Sequence, residues 1–247
     1  MSKKYTFEEF VEVIETLRGE HGCPWDKAQT HESLRPCMME EAAELLGAIR
    51  IYKQTGNAEN MQEELGDILL QSVMHSVIAK EEGLFTIEDV ITGISEKMIR
   101  RHPHIFTEEK TTDTERINQN WEEIKKQEKQ GKEWITSPLR EIPAELPSLT
   151  RAVKIAKKLD KLPEYQHDQK SVVPDCDTLV SLLKEQSVIM ESLVHTQETD
   201  ADQKKSLEKQ VQQMLRTISQ LCYRLKLQPE QLLYDDIEEI IEKMEKN

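Results

Sequence analysis

Two short acidic runs stand out for the chemistry they could do together. In Glu40-Glu41-Ala42-Ala43-Glu44, Glu41 and Glu44 are three residues apart; in Glu63-Glu64-Leu65-Gly66-Asp67, Glu64 and Asp67 are three apart. That spacing puts both members of a pair on one face of a helix. Leu45 and Ala48 share the first face, and Met61 and Ile68 flank the second. Carboxylates carried beside a stripe destined for burial are costly unless something neutralises them. If the two helices pack with these faces opposed, four carboxylates converge. Four oxygen donors with no His or Cys among them suit a hard cation, Mg²⁺ or Mn²⁺. Gly66, a poor helix former in mid-helix, would permit close approach of a ligand or a neighbouring backbone. The competing reading is a solvated acidic face, the ordinary fate of a single Glu-x-x-Glu pair in so acidic a chain. Two pairs in succession, each inset into an apolar stripe, weigh against it.

The elements that must carry these residues read as helices. Thr6 followed by Glu9 is a capping-box signature, and Phe7, Phe10, Val13, Ile14 and Leu17 form the apolar stripe of a first helix that stops near Gly19 to Gly22. Gly22 to Thr30 reads as an ordered loop centred on Pro24 and Trp25. The first acidic run lies on a helix that starts between Glu32 and Pro36 and ends near Gln54, with Gly56 placed to cap it. The second lies on a helix from about 58 to 82. Thr86 and Asp89 cap a further helix that ends before Pro103. Residues 104–118 are polar and read as loop, and Trp121 to Gln130 as a short helix. Pro138, Pro143 and Pro147 mark a linker. Helical stretches follow near 149–160, 176–195, 202–227 and 229–245, with a polar loop from Pro163 to Asp175.

Composition supports an all-α reading and bounds the function. The chain has 247 residues, only 8 glycines, few aromatics and a net charge of −14. An acidic chain repels nucleic acid and anionic membrane, whereas a small polyanion can still be held through a metal ion. Cys23, Cys37, Cys176 and Cys222 show no Cys-x-x-Cys spacing, which disfavours a zinc site or disulfide framework and fits a reducing compartment. No signal-peptide core and no membrane-length apolar run is evident, so a cytoplasmic location is expected.

Cationic residues cluster after the acidic helices. Lys97 and Arg101 are an i,i+4 pair with Arg100 beside them, and Trp121 and Lys125 form a second such pair. On their own, the first is favourable charge at a helix C-terminus, and Trp121 is a packing anchor. The order of the motifs, however, resembles a known family. Gly22-Cys23-Pro24-Trp25-Asp26-Lys27-Ala28-Gln29-Thr30-His31, the two acidic runs with Ile68-Leu69-Leu70-Gln71 after the second, and Arg100-Arg101-His102-Pro103-His104-Ile105-Phe106 resemble the MazG-type all-α nucleoside triphosphate pyrophosphohydrolases continuously over about residues 5–127.

That resemblance implies a four-helix bundle module and hydrolysis of nucleoside triphosphates to the monophosphate and pyrophosphate. It implies Glu41, Glu44, Glu64 and Asp67 as metal ligands, with Glu40 a candidate general base or outer acid. It implies that Lys97, Arg100 and Arg101 contact phosphates and that Trp121 and Lys125 close over the nucleotide. Trp25, Asp26 and Gln29 are either structural or contacts to sugar or base. His31, His102 and His104 read as loop or capping residues rather than ligands. Family members pair their helices across a two-fold axis, so a homodimer or higher homo-oligomer is expected. Base preference is not legible.

The second half reads as a degenerate copy. Setting Gln210-Val211-Gln212-Gln213-Met214-Leu215 against Glu64-Leu65-Gly66-Asp67-Ile68-Leu69 keeps the apolar positions and turns both acids into glutamine. Neutral amides lack the charge that holds Mg²⁺. The expected organisation is a catalytic module over 1–130, a linker over 131–147 and a silent helical module over 148–247. Two other classes compete: a di-iron bundle, for which the single Glu164-x-x-His167 match is too little, and a non-enzymatic helical regulator that binds nucleotide or a partner protein.

Overall fold

The computed structural model describes residues 3–107, 110–129, 132–133, 135–162, 173–194 and 201–245. Among them every regular element is helical: α1 (Phe7–Arg18), α2 (Pro24–Lys27), α3 (Arg35–Thr55), α4 (Glu59–Glu81), α5 (Ile87–Arg101), α6 (Pro103–Phe106), α7 (Thr114–Lys129), α8 (Ser148–Lys161), α9 (Cys176–Val194), α10 (Ala201–Leu225) and α11 (Pro229–Glu245), with a 3-10 turn over Pro138–Glu141. The chain divides into two compact units, Met1–Glu128 and Lys129–Asn247.

Local chemistry sets the helix ends of the first unit. The Thr6 hydroxyl accepts from the Glu9 N–H while the Glu9 carboxylate accepts from the Thr6 N–H, closing the expected capping box; Thr86 and Asp89 repeat it for α5. Gly56 ends α3 at a φ of 74°, a left-handed conformation that costs glycine nothing. Gly22 is needed for another reason: a Cβ there would fall 2.1 Å from the Leu17 carbonyl oxygen, so the chain turns back tightly against the end of α1.

Two segments read as loop are partly helical. Pro24 opens the single turn α2 with its φ preset for a first helical position. Pro103 does the same for α6, and α7 begins at Thr114 instead of Trp121, because Asp113 Oδ1 accepts the N–H groups of Glu115 and Arg116. Only Ile117 is apolar before Trp121 in that stretch, so hydrophobic periodicity gave no warning. Glu164 and His167 lie outside the described residues.

The core of the first unit is built from Ile14, Leu34, Val73, Met74, Val77, Ile78 and Ile87, with Phe7, Phe10, Val11, Leu17 and Leu70 packed against it. It is centred on α4, which packs on α1, α3 and α5. Arg18, itself buried, ties the end of α1 to the end of α4 through Glu81 (2.9 and 2.6 Å) and holds the carbonyls of Asp26 and Gln29 (2.6 and 3.1 Å). α3 buries only Ala48 and α5 only Ile87. Leu46 and Ile49 on α3, and Val90, Ile91 and Ile94 on α5, stay exposed.

In the second unit α10 packs on α8 and α9, and α11 packs on α8, whose Leu149 and Thr150 N–H groups donate to Glu230. The residues read as a linker contribute the 3-10 turn; Ile142 is buried and Glu141 pairs with Lys129 and Lys158. The Arg18 arrangement returns with its charges exchanged. Arg224, near the end of α10, pairs with Asp160 near the end of α8 (2.9 Å) and holds the carbonyls of Pro174 and Val173. In both units one ion pair joins two helix ends, and its arginine also holds backbone carbonyls, after α1 in the first unit and just before α9 in the second.

Candidate active site

Glu41 comes from α3, and Glu64 and Asp67 come from α4. The antiparallel pairing of these helices brings a carboxylate oxygen of each within 4.8 Å of the other two. Charges so close destabilise one another. Burial pushes the Glu41 carboxyl above its ordinary value, with Asp67, Glu44 and Glu64 adding to it. Burial likewise raises Glu64, helped by Glu44, Asp67 and Glu63. Glu44 is exposed and stands outside the tight trio, yet its charge acts on both Glu41 and Glu64. Glu40 is exposed on the adjoining flank of α3.

The trio passes a chemical test for a divalent cation. It offers oxygen donors only, as hard ions prefer. Its mutual repulsion is what a bound positive charge would relieve. At Gly66 a Cβ would meet no atom within 4 Å. The neighbouring backbone expected to approach there does not.

The cationic residues fall at the end of α5, and an unforeseen residue organises them. Glu128 on α7 bridges both arginines: its Oε1 accepts from Arg100 Nε and Nη2 (2.9 and 2.6 Å), and its Oε2 accepts from Arg101 Nε and Nη2 (3.0 and 2.5 Å). Hydrogen bonds from Arg101, then Arg100, hold the Glu128 carboxyl down at about 2. The Arg101 guanidinium also lies over the Trp121 ring at 5.0 Å, and His102 meets that ring edge-on at 5.0 Å. In this structure Trp121 is thus the packing anchor of α7 on the end of α5. Trp121, Lys125 and Glu128 recur at helical spacing on one face of α7; that stripe was the available signal for Glu128. Lys97 is half-buried on α5.

The remaining candidates lie around α2 and at the end of α5. Trp25 is 64% exposed, its carbonyl accepting from Gln29 Nε2 (3.0 Å). The Asp26 and Gln29 carbonyls serve Arg18. His102 Nδ1 lies 2.6 Å from the Met98 carbonyl oxygen, as a capping residue would. His31 lies in the turn before α3: its Nδ1 lies 2.7 Å from His75 Nδ1, the rings are parallel at 5.0 Å, and its Nε2 is 3.7 Å from Glu82.

An all-α chain that joins an acidic trio on paired helices to an arginine pair near the helix ends is a candidate metal-dependent phosphate enzyme. Comparison with known proteins finds nucleotide pyrophosphohydrolases. The family model for the MazG nucleotide pyrophosphohydrolase domain matches residues 29–106. The chain is 37% identical over 240 residues to the nucleoside triphosphate pyrophosphohydrolase/pyrophosphatase MazG of Thermotoga maritima, covering 97% of this chain and 84% of that protein. It is 50% identical over 153 residues to the uncharacterized protein YabN of Bacillus subtilis, covering 62% of this chain and 30% of YabN. It is 38% identical over 152 residues to the nucleoside triphosphate pyrophosphohydrolase of Escherichia coli, covering 61% of this chain and 56% of that enzyme. The chain belongs to the MazG nucleotide pyrophosphohydrolase family.

Proposed function

We propose that this chain hydrolyses nucleoside triphosphates, ribo or deoxy, between the α and β phosphorus to give the monophosphate and pyrophosphate, and so removes unwanted nucleotides from the pool. The observation that carries the proposal is the convergence of Glu41, Glu64 and Asp67 from two helices in a chain of this family. Glu41, Glu44, Glu64 and Asp67 would hold Mg²⁺, with Mn²⁺ as a substitute. A divalent cation there supplies charge neutralisation for the phosphates and lowers the pKa of a water at neutral pH. Glu40, exposed on the adjoining flank of α3, would take a proton from the attacking water or serve as an outer acid of the site. Lys97, Arg100, Arg101 and Lys125 would bind phosphate oxygens, the arginines through planar forks that suit them. Trp121 and Trp25 would contact the base or sugar.

The second unit serves as a silent partner module in this reading, because Gln210 and Gln213 stand where the ligands would be. The apolar faces left open on α3 and α5 fit a second copy of the chain, giving a homodimer; sedimentation at a monomer mass of 28.8 kDa would refute that. Among the described residues no helix is long and apolar enough to cross a membrane. The net charge of −14 disfavours nucleic acid as a partner, and a cytoplasmic location fits the four free cysteines.

Pyrophosphate release from a panel of NTPs and dNTPs, with and without Mg²⁺, tests the reading. Glu41→Gln keeps the shape of the site and removes one charge, so turnover should fall by roughly a hundredfold or more. Tight nucleotide binding with no pyrophosphate release would favour a non-enzymatic regulator instead.

A further inference from the structure

The stripe of α4 that carries Glu64 and Asp67 continues through Gln71 to Met74 and Ile78, which are core residues. Gln71 is the transition point. It lies four residues past Asp67 and seven past Glu64, on the same helical face. Only 6% of it is exposed, and its Oε1 has no hydrogen-bond partner among the described residues. Interiors seldom leave a buried amide oxygen in that state. Side chains on a helix lean toward its N-terminus, so Gln71 covers the preceding turn, where Asp67 stands. Ionised carboxylates only accept hydrogen bonds and cannot satisfy Oε1. A water held by a cation at the acidic trio can.

The second unit provides an internal comparison. When Gln210 and Gln213 are set against Glu64 and Asp67, Thr217 takes the place of Gln71. Thr217 Oγ1 accepts from Gln186 Nε2 (3.1 Å) and donates to the Gln213 carbonyl (2.9 Å). Gln186 in turn accepts from Gln210 Nε2 at its backbone oxygen (3.2 Å). Among the described residues two other buried side-chain atoms lack partners, Arg151 Nε and Gln186 Oε1, but the Gln186 amide is engaged through its nitrogen. The position is polar in both units. It is satisfied by protein where the acids are gone and open where they are present.

We infer that Gln71 is a positioning residue of the metal site, its amide oxygen accepting a hydrogen bond from a water on the cation that Glu41, Glu64 and Asp67 hold. This rests on the metal-dependent reading above. The test uses the full chain and calorimetric titration with Mg²⁺ alone, beside melting in EDTA and steady-state kinetics, for wild type, Gln71→Leu, Gln71→Glu and Glu41→Gln. Gln71→Leu removes an unpartnered polar atom, so it should melt in EDTA at or above the wild-type temperature. Mg²⁺ binding should nevertheless weaken roughly ten- to a hundredfold, the usual effect of losing an outer partner of a metal site. kcat should fall while KM holds. Gln71→Glu keeps an acceptor oxygen and should keep Mg²⁺ binding. Wild-type Mg²⁺ affinity in Gln71→Leu, or a lower EDTA melting temperature with unchanged affinity, would overturn the inference and leave the metal site standing if Glu41→Gln alone abolishes binding. Absence of Mg²⁺ binding by the wild type would overturn both.

Discussion

Replacing Glu128 with glutamine separates the clamp on α7 from the rest of the fold. The carboxylate holds two arginines through four hydrogen bonds and is only 13% exposed at its side chain. Holding it at about 2 instead of 4.5 corresponds to roughly 3 kcal/mol between its two protonation states. The Arg100 side chain is 50% exposed, and screening of its share reduces the figure to about 2 kcal/mol. A pKa depressed in the folded state stabilises above the unfolded value and is lost as pH falls. The clamp therefore holds in full above 4.5 and weakens progressively toward 2. Glu128→Gln should raise amide exchange across α7 at pH 7 by about thirtyfold, the equivalent of about 2 kcal/mol. The gap from wild type, measured by urea unfolding, should narrow at pH 3. The substitution also removes an internal anion from two guanidinium groups, so pyrophosphate should bind more tightly. Identical exchange in α7 at pH 7, or a stability gap that does not change with pH, would refute the reasoning.

Arg18→Met strands two loop carbonyls and breaks a pair whose arginine is buried, so unfolding free energy should drop by about 3 kcal/mol; a loss under about 1 kcal/mol would show that Arg18 does not hold α2 in place. His75 has its pKa lowered by burial and then by His31, and Glu82 faces His31 across 3.7 Å. His75 therefore leaves stability intact above the ordinary 6.5 and erodes it as pH falls below that value. Melting temperature should decline from pH 7 to pH 5, and His75→Phe should flatten that decline; parallel curves would remove the histidine pair from the account.

The long helices were legible because each signal was local. The Thr6 and Thr86 capping boxes, Gly56 past α3, and apolar recurrence along α1, α3 and α4 all act within a few residues. α6 and the first turns of α7 escaped because their start signals, Pro103 at the first position of α6 and Asp113 before α7, lead into stretches with little apolar periodicity. The acidic pairs could be read for the same reason the helices could, since three-residue spacing on a helix fixes a face. Glu128, marked only by its place on the stripe of Trp121 and Lys125, and Gln71 did not stand out in the sequence. One is an acid in a chain with 47 of them, and the other a polar residue on a partly apolar stripe.

The sequence by itself determined the helical alphabet, the two acidic pairs, each on one helix face, the cationic end of α5 and the presence of Gln210 and Gln213 in the second half. These follow from residue type and short-range spacing, where backbone geometry leaves few choices. Only the tertiary structure decided which carboxylates meet, that Glu44 stands aside from the trio, that Glu128 takes both arginines, and that the Gln71 amide oxygen is buried with no hydrogen-bond partner among the described residues. Those outcomes depend on how α3, α5 and α7 pack against residues distant in the chain. Helical spacing fixes the face a side chain occupies, and packing alone fixes what that face meets.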